Sequence, residues 1–169
     1  ASGYVENDPT YALSGALAPR TQKHFASVTA PEEIGQLMRA IRAYVGGPIV
    51  KFALQYSAYT FCRPGEIRTA EWNEIDTANA TWRIPAEKMK CDRVHIVPMS
   101  RQVLDLLPKI KDFSGESRYL FPSQRTYHSP MSDGTINAAL RSMGYDRETM
   151  TGHGFRSMAS TRLNESGLW

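Results

Sequence analysis

Three short stretches carry side chains whose types and spacing suit the handling of an anion. In "CRPGE", Arg63 stands where a helix can begin, Pro64 suits the first turn, and Glu66 follows the arginine by three residues. A guanidinium and a carboxylate so spaced share one face of the turn, beside backbone N–H groups that lack intrahelical acceptors. In "HGFR", His153 and Arg156 have the same spacing at another helix start, where partial positive charge gathers and anions bind. "EKMKCD" adds Lys88 and Lys90 in a polar stretch between two β-type segments. By spacing alone, plainer readings hold the advantage. Exposed Arg–Glu pairs are common and contribute little, loop lysines are usually solvated, and a histidine at a helix start is more often a cap or a core residue.

The elements that must position these residues follow from hydrophobic period and punctuation. "TAPEEIGQLMRAI" reads as a helix with Thr29 three residues before Glu32, a capping-box spacing, and with Ile34, Leu37, Met38 and Ile41 on one stripe before Gly46 and Gly47. A second helix over 48–60 is apolar on most sides and belongs at the centre of the core. A short helix after "FCRPGE" should carry Ile67 and Trp72. From Asn73 to Pro98 the segments "NEID", "TWRIP" and "RVHIVP" predict a three-stranded antiparallel meander, with Lys88 and Lys90 in the turn of its second hairpin. Helical period returns at "SRQVLDLLPKI", where Pro108 should end or kink the helix. "SDGTINAALRSMG" predicts a helix capped by Ser132 or Asp133 and stopped by Gly144, and the last helix runs from near Gly154 to Gly167. The fold class is therefore α+β, mainly α-helical with one small three-stranded antiparallel sheet.

Bulk properties bound the function. The 169 residues, 41% of them hydrophobic, suffice for one domain with a core. A net charge of +3 and a pI near 8.9 permit a polyanionic partner without demanding one. Cys62 and Cys91 have neither a metal-ligand nor a secreted-scaffold spacing, which predicts reduced thiols and a cytoplasmic setting. The four histidines are scattered, with no acidic cluster beside them, so the pattern favours neither a metal site nor a metal-dependent nuclease. No apolar run has signal or membrane length. Residues 1–28 are rich in Pro, Gly, Ala and Ser, without a sustained period, and read as a linker.

Taken in order, "YTFCRPGEIRTAEW", "KMKCDRVHIVPMS" and "TGHGFRSMASTRLNESG" resemble the catalytic domain of the tyrosine recombinases, of the kind found in integrases of phages and genomic islands. The resemblance runs from about Phe25 to the last residue. Its most specific wording is H-G-F-R together with R-P-G-E and the V-P step that closes the hairpin. It implies that Arg63 and Arg156 are the two catalytic arginines, that His153 is the catalytic histidine, and that Glu66 supports Arg63. It places the catalytic lysine on Lys90, eight residues before Pro98, with Lys88 the alternative.

The implied chemistry is site-specific DNA recombination by strand cleavage and rejoining through a 3′-phosphotyrosine, without metal or other cofactor. Two guanidiniums match the charge and the planar geometry of phosphate oxygens. A lysine on a hairpin would protonate the leaving 5′-oxygen, and His153 would manage the proton of the attacking tyrosine. The family's nucleophile lies well beyond its H-x-x-R motif, whereas thirteen residues follow Arg156 and none of the eight tyrosines lies after His153. The expectation is of a catalytic domain over 29–169, cut before its nucleophile, behind a linker from an absent N-terminal DNA-binding domain. This piece by itself should be inactive and monomeric. The partners implied are double-stranded DNA attachment sites, other integrase protomers and an excision factor, with no membrane and a cytoplasmic, nucleoid-associated location in bacteria. The alternative is a DNA-binding module on the same fold that does not cleave.

Overall fold

The computed structural model describes residues 25–89 and 91–167. Within them the chain forms six helices and a small sheet: α1 (Pro31–Ala43), α2 (Pro48–Thr60), α3 (Pro64–Arg68), β1 (Ile75–Asp76), β2 (Thr81–Ile84), β3 (His95–Pro98), α4 (Arg101–Ser114), α5 (Thr135–Ser142) and α6 (Gly154–Glu165). Short 3-10 turns lie at Trp72–Glu74 and Ala86–Lys88.

Helix α2 is the axis of the core, as its all-round apolar pattern predicts. It packs against α1, α3, α4 and α5. Tyr56, fully buried, meets Trp82 of β2 and Phe121 edge-on at centroid distances of 5.5 and 5.4 Å, the geometry aromatic quadrupoles favour. The sheet has the order β1-β2-β3, antiparallel throughout. Trp82 pairs with Val97 and Ile84 with His95, which puts Trp82, Ile84 and Val97 on the buried face. The expected α+β class and three-stranded meander are observed, with shorter strands than the sequence segments suggested.

Four local expectations are corrected. Helix α1 is not capped by Thr29: Pro31 takes its first position, so the cap falls on Ala30, whose extended φ of −67° and ψ of 136° suit a residue before proline. Trp72 is not on α3, which ends at Arg68. Glu71 is extended, and the Trp72 N–H donates to the carbonyl of Arg118 at 3.0 Å, so Trp72 opens a separate 3-10 turn. Pro108 does not end α4, which continues to Ser114. Pro108 faces solvent while Val103, Leu106, Leu107 and Ile110 are buried on the other side, so packing outweighs the one lost backbone hydrogen bond. Helix α5 is capped by neither Ser132 nor Asp133. Gly134 holds the cap position, and the Ser132 hydroxyl bonds that of Thr135 at 2.8 Å instead.

The left-handed turns fall where the chain must change direction. Gly144 and Gly167 (φ 90° and 64°) follow α5 and α6 as expected. Phe61 also adopts this region (φ 55°), with its N–H donating to the carbonyl of Ser57 at 3.1 Å. A bulky residue in this conformation costs about 1–2 kcal/mol. That turn swings the chain from α2 into Cys62 and Arg63.

Candidate functional site

Arg63 is the cap residue of α3, with Pro64 at the first helical position. Glu66 reaches back to it twice: Oε2 accepts the Arg63 backbone N–H at 2.8 Å, and Oε1 accepts Nη1–H at 2.7 Å. The carboxylate is nearly buried (side chain 6% exposed) while the guanidinium is 42% exposed. Glu66 thus holds Arg63 by its inner edge, and Nη2 and Nε make no hydrogen bond among the described residues. The hydrogen bond to Glu66, then its charge, keeps the guanidinium pKa above its ordinary value. Arg63 is cationic at every relevant pH.

The H-G-F-R stretch is legible position by position. Phe155 is fully buried and anchors α6 in the core. Gly154 admits no side chain: an added Cβ would lie 2.4 Å from the carbonyl oxygen of Ala26 and 2.8 Å from Met150 Sδ. The segment before α1 therefore lies against the start of α6, where the Thr151 N–H donates to the Ala26 carbonyl at 3.2 Å and Phe25 stacks on the His153 ring at 4.2 Å. With Gly154 and Phe155 turned inward, His153 and Arg156 are exposed. Gly152 closes the remaining gap. A Cβ there would sit 3.2 Å from Pro64 Cγ and 3.3 Å from Ile136 Cγ2, and its N–H donates to Asn137 Oδ1 at 2.9 Å. The turn that leads into α6 thereby lies against Pro64 in the first turn of α3.

Electrostatics register the same juxtaposition. Burial, and then the positive charge of Arg63, hold the His153 imidazole below its ordinary value of 6.5, so it is neutral near pH 7. Burial and then Glu66 push the Cys62 thiol up to about 12, although Arg156 and Arg63 each favour its thiolate. Cys62 is an inert neighbour within reach of both guanidinium charges. A groove of about 290 Å³ beside it is lined by Cys62, His95, Arg156 and Asn164, and another of about 250 Å³ by Pro64, Arg68, Asn137 and His153. A half-buried and an exposed cation with a neutral imidazole on adjoining helix starts can hold a tetrahedral anion and accept a proton. Among the described residues no three of the His, Cys, Asp and Glu side chains gather as metal ligands, and no helix is long and apolar enough to cross a membrane.

Lys90 lies outside the described residues. Lys88 is not a solvated loop lysine. Its Nζ donates to Glu71 Oε1 at 2.9 Å, to the Thr69 carbonyl at 2.8 Å and to Glu74 Oε1. Burial works against its charge, but the hydrogen bonds and charges of Glu74 and Glu71 outweigh this and raise its pKa. Glu71 also pairs with Arg118 at 2.7 Å, and Glu74 Oε2 accepts the Trp82 indole N–H at 2.9 Å. Sequence reasoning missed this cluster. The spacing of Glu71 and Glu74 was visible, but their partners lie 8 to 47 residues away.

Residues 27–168 match the phage integrase family. The chain is 37% identical to the integrase of Enterobacteria phage P4, over 98% of its own length and 40% of that protein. It is 34% identical to prophage integrase IntA of Escherichia coli strain K12, over 99% and 40%. It spans about two-fifths of the length of these relatives. In fold it is similar to XerA recombinase (TM-score 0.65, 20% identity, 85% of this chain and 53% of that one). It is likewise similar to a lambda integrase dimer bound to a COC′ core site (TM-score 0.65, 19% identity, 91% and 45%). The fold is that of tyrosine recombinase catalytic domains, and the chain belongs to the phage integrase family.

Proposed function

We propose that this chain forms the core of the catalytic domain of a site-specific integrase that breaks and rejoins DNA through a 3′-phosphotyrosine. The observation that carries this reading is the packing of Gly152 on Pro64, which sets Arg63, His153 and Arg156 on adjoining helix starts, with guanidinium donors unpaired among the described residues. Arg63 and Arg156 bind the non-bridging oxygens of the scissile phosphate and stabilise the charge that grows there in the pentacoordinate transition state. The tyrosine oxygen forms a bond to phosphorus as the bond to the 5′-oxygen breaks. The phenolic proton, held with a pKa of about 10 in water, passes to neutral His153. Lys90 supplies a proton to the departing 5′-oxygen. That assignment is supported by Lys88, whose ammonium is fully occupied by carboxylates and a carbonyl and is a weakened acid. Glu66 fixes Arg63 and does not touch substrate.

The nucleophile is the part of this scheme that the chain does not supply. Tyr56 is fully buried in the core, and Tyr145 precedes the H-x-x-R motif. We place the nucleophilic tyrosine in sequence continuing past Trp169, in keeping with relatives more than twice as long. Duplex DNA is the partner proposed for the arginine face, held through phosphates. Each neutralised phosphate should contribute about −0.9 to the slope of log K against log salt.

The test is covalent trapping on nicked attachment-site DNA. The protein continued past Trp169 should leave a denaturation-resistant protein–DNA band, and the chain ending there should leave none. A band from the shorter chain mapping to one of its own tyrosines contradicts the assignment. Absence of a band from the longer protein, with DNA binding intact, favours a binding module that does not cleave.

A further inference from the structure

The cluster around Lys88 lies against the two features that the proposed reaction must hold in register. Its ammonium has three N–H donors, and all three are taken, by Glu71, Glu74 and the carbonyl of Thr69. These acceptors fall within Thr69–Glu74, the segment that leaves α3, the helix that Arg63 caps. Glu71 and Glu74 are each only 8% exposed. Glu74 also accepts the indole N–H of Trp82 on β2, and Glu71 is paired with Arg118. Two cations and two carboxylates leave the cluster neutral, so no charge is stranded in the interior. On the hairpin side, Lys88 ends the 3-10 turn Ala86–Lys88, and Lys90 follows two residues later. Beyond it Cys91, Asp92, Arg93 and Val94 are all exposed, and strand pairing resumes at His95 with Ile84.

A buried ion cluster is a poor device for stability alone, because well-packed apolar residues of similar size do as well or better. What it adds is a fixed geometry. We propose that Lys88 is a positioning residue for Lys90: by locking the near end of the hairpin to the segment leaving α3, it sets the reach of the hairpin's general acid toward the phosphate held by Arg63. This rests on the reading of Lys90 as the general acid given above.

The experiment uses the integrase with its nucleophile, and nicked DNA whose scissile 5′-bridging oxygen is either natural or replaced by sulfur. A thiol, with a pKa of about 8.5, leaves without a proton donor, so a fault confined to acid delivery disappears on the sulfur substrate. Lys90→Ala should cleave the oxygen substrate on the order of a hundredfold slower and the sulfur substrate at the unsubstituted rate. Lys88→Met should show the same pattern, with a loss on oxygen of up to about a hundredfold from misplacement. Lys88→Arg should recover part of it. The double variant Lys88→Met/Glu74→Gln removes one charge of each sign, so it keeps the interior neutral and tests the same point where the single variant folds poorly. Lys90→Ala rescued by sulfur, with the Lys88 variants equally slow on both substrates or slow on neither, overturns the positioning role alone. Lys90→Ala unrescued overturns the general-acid reading and the positioning role with it.

Discussion

Arg63 with Glu66 before α3, and Lys88 with Glu71 and Glu74 after it, are built from the same ingredients a few residues apart. In both, buried carboxylates grip cations. In the first, Glu66 holds Arg63 along one edge and leaves the remaining guanidinium donors unpaired among the described residues, while Arg156 is exposed. In the second, every donor of Lys88 is taken from inside. The difference separates a cluster with cationic donors to spare from a joint whose lysine has none. An open cluster should reveal itself in rate and a closed one in stability.

The largest expected effect is on rate. Arg156→Ala should slow strand cleavage by the integrase about a hundredfold or more, while its melting temperature stays unchanged because Arg156 is not packed as core. Arg63→Ala should lose as much rate and also some stability, since Glu66 keeps only the backbone N–H as its partner in the pair. Near-normal cleavage by either variant would break the contrast.

Next in size is Lys88→Met, which leaves Glu74 short of a counter-charge in the interior. Removing one member of a buried pair costs about 3 kcal/mol or more, to be read from denaturant unfolding of this chain. The double variant Lys88→Met/Glu74→Gln should recover much of that loss. Equal losses in the two would show that charge balance is not what holds the joint.

A smaller effect is the pH dependence of stability. Burial raises the Glu71 carboxyl, but Arg118 and Lys88 outweigh it and hold its pKa below the ordinary 4.5. That contribution is complete above 4.5 and is lost as pH falls through the lower folded value. The Lys88 pKa is raised above 10.5, so its contribution is complete below 10.5 and is lost as pH rises through the folded value. His153, held below 6.5, and Cys62, pushed up to about 12, already lower stability below about 6.5 and above about 9. The losses from this cluster should add to those at the acid and alkaline ends, and both should be shallower in the double variant. Least of all, Arg118→Ala should barely move the midpoint, because its side chain is 65% exposed.

The open cluster was legible in the sequence because both of its halves are local. Arg63, Pro64 and Glu66 form one turn, and His153 to Arg156 form another, so spacing alone shows which side chains share a face. The meaning of the two glycines in "TGHGF" was not legible. Gly152 meets Pro64 and Gly154 meets Ala26, contacts spanning about half and most of the chain, which only the folded packing reveals. The closed cluster escaped for the same reason, as Arg118 reaches Glu71 across 47 residues. Pro108 misled because local sterics forbid what the buried side of α4 enforces. Helix α2 and the meander were legible because burial imposes its period directly on the sequence.

The most direct test of the open cluster is the titration of His153 in this chain by NMR of its imidazole, alone and with a short DNA duplex at low salt. In the free chain, burial and the Arg63 charge should keep the midpoint below 6.5. A phosphate seated between Arg63 and Arg156 brings negative charge to the ring and should move the midpoint upward, with salt reversing the shift. A His153 midpoint that duplex DNA leaves unmoved would contradict a phosphate site at these helix starts.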